Sequence, residues 1–270
     1  MLAGQLRCAF GRCYTVLNAM SAQTPPPPRP FADRIALVSG ASRGIGRAAA
    51  IALAQGGAHI VAVARTTGGL EELDDAVRAF GGSATLVPLD LKDYAGIDRL
   101  ALALHERFGR LDVLIANAGI LGPLSPLAHV EAKAWDEVMA VNVTANWRLI
   151  RAMDALLKSS EAGRAVFISS GAAASAPAYW GPYSVSKAAL ETLARTYAAE
   201  TATTNVRVNI FNPGPVRTRM RAQAMPGEDP MTLEPPENVA TAIVDLCLPG
   251  VQANGKLYSY PERRFLELRA

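Results

Sequence analysis

Cysteine, histidine and long apolar runs are what this chain has least of. Its three cysteines, Cys8, Cys13 and Cys247, are too few and too scattered for a disulfide framework and lack the spacing of a metal site. A reducing compartment with unreactive thiols is the simpler expectation. The three histidines, His59, His105 and His129, show no zinc-ligand spacing, so no metal is expected. No stretch between charges approaches the ~20 apolar residues that a membrane span needs. Nor does Ser169 or Ser170 have a glycine two residues before it, which removes the nucleophile elbow of serine hydrolases.

Acid is missing from residues 1–32, which carry Arg7, Arg12 and Arg29, and the rest of the chain is balanced at 24 basic and 24 acidic residues. A formally neutral domain lacks the basic face that a nucleic-acid partner requires. Met1 to Ala19 has the acid-free, arginine-bearing composition of a mitochondrial presequence, without the continuous apolar core of a secretory signal. The competing reading, preferred here, is a start at Met20, because Ser21 to Pro30, with prolines at 25–28, already makes an extended tail. Residues 1–32 are therefore expected to be a flexible or targeting-like tail, and 33–270 the folded domain. A cytoplasmic location follows, or the mitochondrial matrix if residues 1–19 are a true presequence.

What is present is a chain that is half hydrophobic and long enough, at 270 residues, for one α/β domain or two smaller ones. Apolar, strand-like runs begin at Ile35, Ile60, Leu86, Leu111, Ala165 and Val206 and alternate with helical stretches. That alternation predicts a parallel sheet with helices on both faces. The first run, Ile35 to Val38, leads into Ser39-Gly40-Ala41-Ser42-Arg43-Gly44-Ile45-Gly46 and then an alanine-rich helix. Glycine at positions 40 and 44 permits a tight turn beside a pyrophosphate, Gly46 lets helix and strand pack closely, and the helix start offers free N–H groups to phosphate. A bare glycine cluster could be an ordinary strand-to-helix turn, but strand, glycines and helix in this order favour nucleotide binding.

A second signal lies in Tyr183-Ser184-Val185-Ser186-Lys187, where a phenol and an amine four residues apart share one helix face. A phenol titrates near ~10 and an ammonium near ~10.4, so a charged Lys187 is expected to favour the phenolate of Tyr183. Thirteen residues upstream of Tyr183, Ser170 closes the strand-like run Ala165 to Ile168, and strand carboxyl ends are where open α/β sheets bind ligands. Taken alone, Ser170 could be a turn hydroxyl and the Tyr-Lys spacing a chance feature of a solvated helix.

Together these residues resemble the short-chain dehydrogenase/reductase family from Phe31 to about Tyr260. The family's glycine pattern matches Gly40, Gly44 and Gly46; its Asn-Ala-Gly element matches Asn117, Ala118 and Gly119; its active-site set matches Asn142, Ser170, Tyr183 and Lys187; and its Pro-Gly element matches Pro213 and Gly214, with Val216 and Thr218 at nicotinamide-contacting positions. The resemblance implies a single-domain, Rossmann-type, doubly wound parallel sheet and hydride transfer between a nicotinamide and a carbonyl or alcohol. Tyr183 would be the general acid/base, Ser170 would hold the carbonyl oxygen, Lys187 would hold the ribose, and Asn142 would position a water. A helix-interior structural amide is the other reading of Asn142. Ile45 is expected at the phosphates, and Asp90 with Leu91 at the adenine, Asp90 otherwise being a helix cap.

Charge at the end of the second strand bears on cofactor selectivity. The second strand, His59 to Ala64, ends at Arg65-Thr66, where an enzyme preferring NAD(H) would carry an acid for the ribose. Arg65, Arg43 and Ser42 could instead cradle a 2′-phosphate, which favours NADP(H). Residues 216–236 correspond to the family's substrate lid. Their methionines, Met220, Met225 and Met231, would line a hydrophobic substrate site or fill core, the two readings standing even. Arg217, Arg219 and Arg221 are read as a solvated basic edge rather than an acid-binding site. The family usually forms dimers or tetramers, and a homotetramer is expected through helices near 132–157 and 182–203. The rival to an enzyme is a silent NADP-binding regulator or scaffold, which would usually have lost one of the four active-site residues.

Overall fold

The computed structural model describes residues 29–266. The cysteines at 8 and 13, and the presequence and Met20 readings, lie outside the described residues. The elements run β1 (Ile35–Ser39), α1 (Gly44–Gln55), β2 (His59–Ala64), α2 (Thr67–Arg78), β3 (Ser83–Pro88), α3 (Tyr94–Phe108), β4 (Val113–Ala116) and α4 (Ala132–Met139). After a π-helical turn at Ala140–Thr144 come α5 (Ala145–Lys158), β5 (Arg164–Ile168), α6 (Ala172–Ser175), α7 (Gly181–Glu200), β6 (Arg207–Asn212), α8 (Arg219–Ala224), α9 (Pro236–Asp245), β7 (Leu257–Ser259) and β8 (Arg264–Leu266). They form one sheet ordered β3-β2-β1-β4-β5-β6-β7-β8, parallel except for the last pair.

Each central strand is apolar throughout because it is covered on both faces. Along β1, Ala36 and Val38 pack toward α1 and α9, while Ile35 and Leu37 pack toward α3 and α5; β4 and β5 alternate in the same way. Burial of this two-sided core is the main stabilising term. The strand order reverses between β1 and β4, and the loops leaving their carboxyl ends diverge there to open a crevice.

Two boundaries differ from expectation. Phe31, placed in the tail by its position, is only 1% exposed, and its N–H donates to the Gly56 carbonyl at 2.9 Å. The folded unit therefore begins at least two residues before 33, because an aromatic ring fills space under the end of α1. The run from Leu111 forms a strand only from Val113; before it, Asp112 keeps backbone bonds of 2.9 Å to Ile35 and Arg164, and its carboxylate also accepts the Ile35 N–H at 2.8 Å. Among the described residues no helix is long and apolar enough to cross a membrane, and no cluster of His, Cys, Asp or Glu could hold a metal ion. Cys247, which follows α9, is 1% exposed, and burial pushes its thiol up to about 12.

Candidate active site

The glycine loop is held by β4 rather than by its own residues. Ser39 Oγ accepts the N–H groups of Asn117 and Ala118, both at 3.0 Å, and Asn117 Nδ2 donates to the carbonyls of Ser39 and Gly40 at 3.0 and 3.3 Å. Gly40 has φ +68° and Gly44 φ +56°, a region that side chains avoid. At Gly46 even a methyl group would collide with the Asn117 amide and the Gly40 carbonyl, so strand and helix meet with no spare room. Gly40, Ser42, Arg43, Gly44 and Ile45 line the crevice at the start of α1, the two glycines adding no side chain to it.

At the end of β2, Arg65 and Thr66 line the same crevice beside Ser42 and Arg43. Gly69 in the first turn of α2 packs against Ser42, where an added Cβ would come within 2.9 Å of the serine Cβ. Asp90 and Leu91 follow β3 along the crevice, and Asp90 accepts the Lys92 N–H at 3.0 Å. The helix cap of α3 is Asp93, which accepts from Gly96 at 2.9 Å, so the carboxylate of Asp90 is not used as that cap.

Beyond the switch point, β5 delivers Ile168, Ser169 and Ser170 to α7. The register is regular: the Ile168 carbonyl accepts from Lys187 Nζ at 2.7 Å, Ser169 Oγ donates to Glu191 at 2.6 Å, and Ser170 lines the same cavity as Tyr183. Two consecutive residues at the strand end, Ile168 and Ser169, thus hold side chains spaced four apart on the helix. The face of α7 turned to the core carries Tyr183, Ser184, Ser186, Lys187 and Glu191 among its buried residues, so its amphipathic pattern is weak.

The expected effect of Lys187 on Tyr183 is not what this geometry produces. Nζ lies 5.7 Å from the centroid of the tyrosine ring and is turned to the Ile168 carbonyl. Burial pushes the Tyr183 phenol up, the Ser170 hydrogen bond opposing it, and burial brings the Lys187 ammonium down to about 8, with Glu191 opposing. Desolvation outweighs the charge because Tyr183 and Lys187 are only 7% and 3% exposed. At neutral pH the site holds a protonated phenol beside a protonated amine.

Asn142 occupies the π-helical turn, and its side chain is fully engaged. Oδ1 accepts the Ile120 N–H at 2.8 Å, and Nδ2 donates to the Ile120 carbonyl and to Ser186 Oγ, both at 2.9 Å. Its backbone carbonyl, released from regular helical pairing, accepts from Asn146 Nδ2 at 2.8 Å. Gly119 lies against both groups; a Cβ there would sit 3.3 Å from Asn142 Oδ1 and 3.5 Å from Lys187 Nζ. Opposite, Pro213, Gly214, Val216 and Thr218 form the far wall; Thr218 caps α8 by accepting the Arg221 N–H at 3.2 Å and stands over Gly44.

All of these groups converge on one cavity of about 990 Å³, within the range of cofactor-sized sites. Of the candidate catalytic and cofactor-contacting residues named from the sequence, only Gly46 and Asn142 do not line it, and both act on residues that do. Sequence reasoning missed Ser169, Glu191 and Asn146, whose polar side chains on apolar faces were the available signal. It also left the lid methionines undecided: Met220 packs on the apolar cluster of Leu121, Ala172, Tyr183 and Ala224 beside Trp180, while Met225 and Met231 are 39% and 74% exposed. Arg221 is clamped to Glu228 by two bonds of 2.6 Å within the lid.

The short chain dehydrogenase family profile matches residues 34–229. The chain belongs to that family. Relatives of this short-chain dehydrogenase include the uncharacterized oxidoreductase YciK of Escherichia coli K12, 38% identical over 210 residues that cover 77% of this chain and 83% of the relative. An uncharacterized NAD-dependent oxidoreductase of Mycobacterium tuberculosis H37Rv is 37% identical across 69% of this chain and 73% of its own. Among solved structures, a Shigella flexneri protein described as a short chain dehydrogenase and complexed with NADP superposes with a TM-score of 0.79 at 34% identity, covering 86% of this chain and 98% of that one. This short-chain dehydrogenase is accordingly an oxidoreductase that uses a nicotinamide cofactor.

Proposed function

We propose that this short-chain dehydrogenase reduces apolar carbonyl compounds with NADP(H), Tyr183 supplying the proton. The observation that carries the reading is the convergence of Ser170, Tyr183 and Lys187 at the end of the crevice that the glycine loop opens. The residues fit a dinucleotide: Gly40 and Gly44, with no side chain in the way, for the pyrophosphate, Asp90 and Leu91 at the adenine, Gly119 leaving space before Lys187, and Val216 and Thr218 opposite. Two guanidinium groups, Arg43 and Arg65, stand with Ser42 where no acid is present to take a ribose 2′-hydroxyl, which favours a 2′-phosphate. When bound, the nicotinamide supplies the hydride.

The protein's own part is proton handling and placement. Ser170 and Tyr183 present two hydroxyls to one substrate oxygen, and the phenol, kept protonated by burial, donates as negative charge develops there. Lys187, still cationic near neutrality, holds the ribose and stabilises the tyrosinate left behind. Asn142 fixes the backbone at Ile120, next to Gly119, and its carbonyl in the π-helical turn is the point from which a water would be positioned toward Lys187. Leu121, Ala172, Trp180, Met220 and Ala224 surround Tyr183 with apolar surface, which supports a hydrophobic substrate. Exposed Trp147 on α5 and Val185 on α7 support assembly as a homotetramer or homodimer through these helices.

The test is NADPH oxidation across a panel of aldehydes, ketones and quinones, with product identification. Tyr183→Phe is expected to lower turnover by roughly 10²-fold or more while leaving NADPH binding intact. Full activity in that variant would refute the assignment, and tight NADPH binding with no turnover of any carbonyl would favour a regulatory NADP-binding protein.

A further inference from the structure

One helical turn beyond Lys187, on the same face of α7, lies a carboxylate that the chemistry proposed above does not use. Glu191 is 8% exposed, and Ser169, itself 2% exposed, donates to its Oε1 at 2.6 Å; burial pushes the carboxyl up, and the Ser169 hydrogen bond, Arg195 and Lys187 oppose that shift by favouring the carboxylate. Lys187 gives its Nζ to the Ile168 carbonyl, so Glu191 acts on it through space within a buried, water-poor seam. Positions four apart on a helix are neighbours, with Cβ atoms about 5–6 Å apart.

We infer that Glu191 is a positioning residue: locked by Ser169, it is the buried countercharge that keeps Lys187 an ammonium beside Tyr183. The inference rests on the proposed role of Lys187. The surrounding charges leave this task to Glu191. On α7 itself the other cation acting on Glu191 is Arg195, one turn further on. Strands β5 and β6 carry charge only at Arg164 and Arg207, at their amino ends, far from Ser169. The π-helical turn and α6 contain no ionisable side chain. On α4, Glu137 faces Lys92, Lys133 and Asp136 having no paired role at this site; on α5, beside Arg148 and Arg151, Asp154 is bonded to Tyr197 and Lys158.

The sign of the effect is fixed by the groups present. Burial lowers the affinity of Lys187 for its proton and Glu191 raises it, so removing the carboxylate lets the amine lose charge at lower pH. The chain has five lysines, few enough to follow each amine by ¹³Cε NMR, with Lys187 assigned by its loss in Lys187→Met. In Glu191→Gln the Lys187 midpoint should fall by about one pH unit or more. The alkaline limb of NADPH-dependent carbonyl reduction should move down by the same amount, with Glu191→Asp returning it toward wild type. Should Glu191→Gln not fold, Glu191→Met fills the same space without charge and is expected to give the same shift. An unmoved midpoint, or a rate lowered equally at every pH, overturns the inference. Because the NMR titration needs no turnover, a shifted midpoint in an inactive protein would count against the proposed reaction and leave the role of Glu191 standing.

Discussion

Replacing Lys187 with methionine removes a charge that folding penalises, and the size of the penalty can be worked out. The amine is 3% exposed and is brought down to about 8 in the folded protein, against ~10.4 in an unfolded chain. A difference of about 2.4 units corresponds to about 3 kcal/mol. Between these two values the unfolded chain binds more protons than the folded one, so stability rises with pH; below about 8 the full penalty is present, and above ~10.4 it is gone. Wild type should therefore gain about 3 kcal/mol relative to Lys187→Met as pH is raised from 7 to 10.5. Losing the Ile168 hydrogen bond and leaving Glu191 without its countercharge add a contribution that is nearly constant over this range, and it cancels in the comparison. Urea unfolding followed by tryptophan fluorescence at half-unit pH steps measures the gap. Parallel stability curves for the two proteins would refute the reasoning, since they would mean that the amine is not held below its ordinary range.

Two further perturbations address the cofactor end of the crevice. Arg65→Glu should weaken NADPH binding by roughly tenfold or more while leaving NADH affinity the same or better, measured by fluorescence titration, because a charge-assisted bond to the 2′-phosphate becomes a repulsion; equal loss for both nucleotides would sink the NADP(H) preference. Gly46→Ala should lower the melting temperature by about 10 °C or prevent folding, since the clash is with backbone and a tethered amide. Gly68→Ala, where nothing lies within 4 Å, is the control and should be neutral.

Much of the architecture was legible because two-sided burial leaves a plain mark on a strand: the runs from Ile35, Ile60 and Ala165 are apolar over four residues or more, and all three lie within strands inside the sheet. The glycine loop was legible for a different reason, since Gly40 and Gly44 take backbone angles that few other residues tolerate. What could not be read were effects of depth. The sequence shows Lys187 one turn from Tyr183, and Coulomb's law alone then predicts an acidified phenol. Only the fold shows that both are buried and that the amine is turned to a carbonyl, which reverses the net shift. The same blindness hid Glu191, an acid that the sequence presents like any solvated helix residue until β5 covers it. Phe31 was hidden by proximity to the proline run, although its ring belongs to the core.

The sulfur of Cys247 gives the folded protein a built-in clock. Sealed behind α9, its Sγ directed to the Ile243 carbonyl at 3.3 Å, it offers an alkylating reagent neither access nor a thiolate at neutral pH. Modification at that position can proceed only when the helix lifts from the sheet, so the rate at which the thiol is captured counts opening events of the native chain, one molecule at a time.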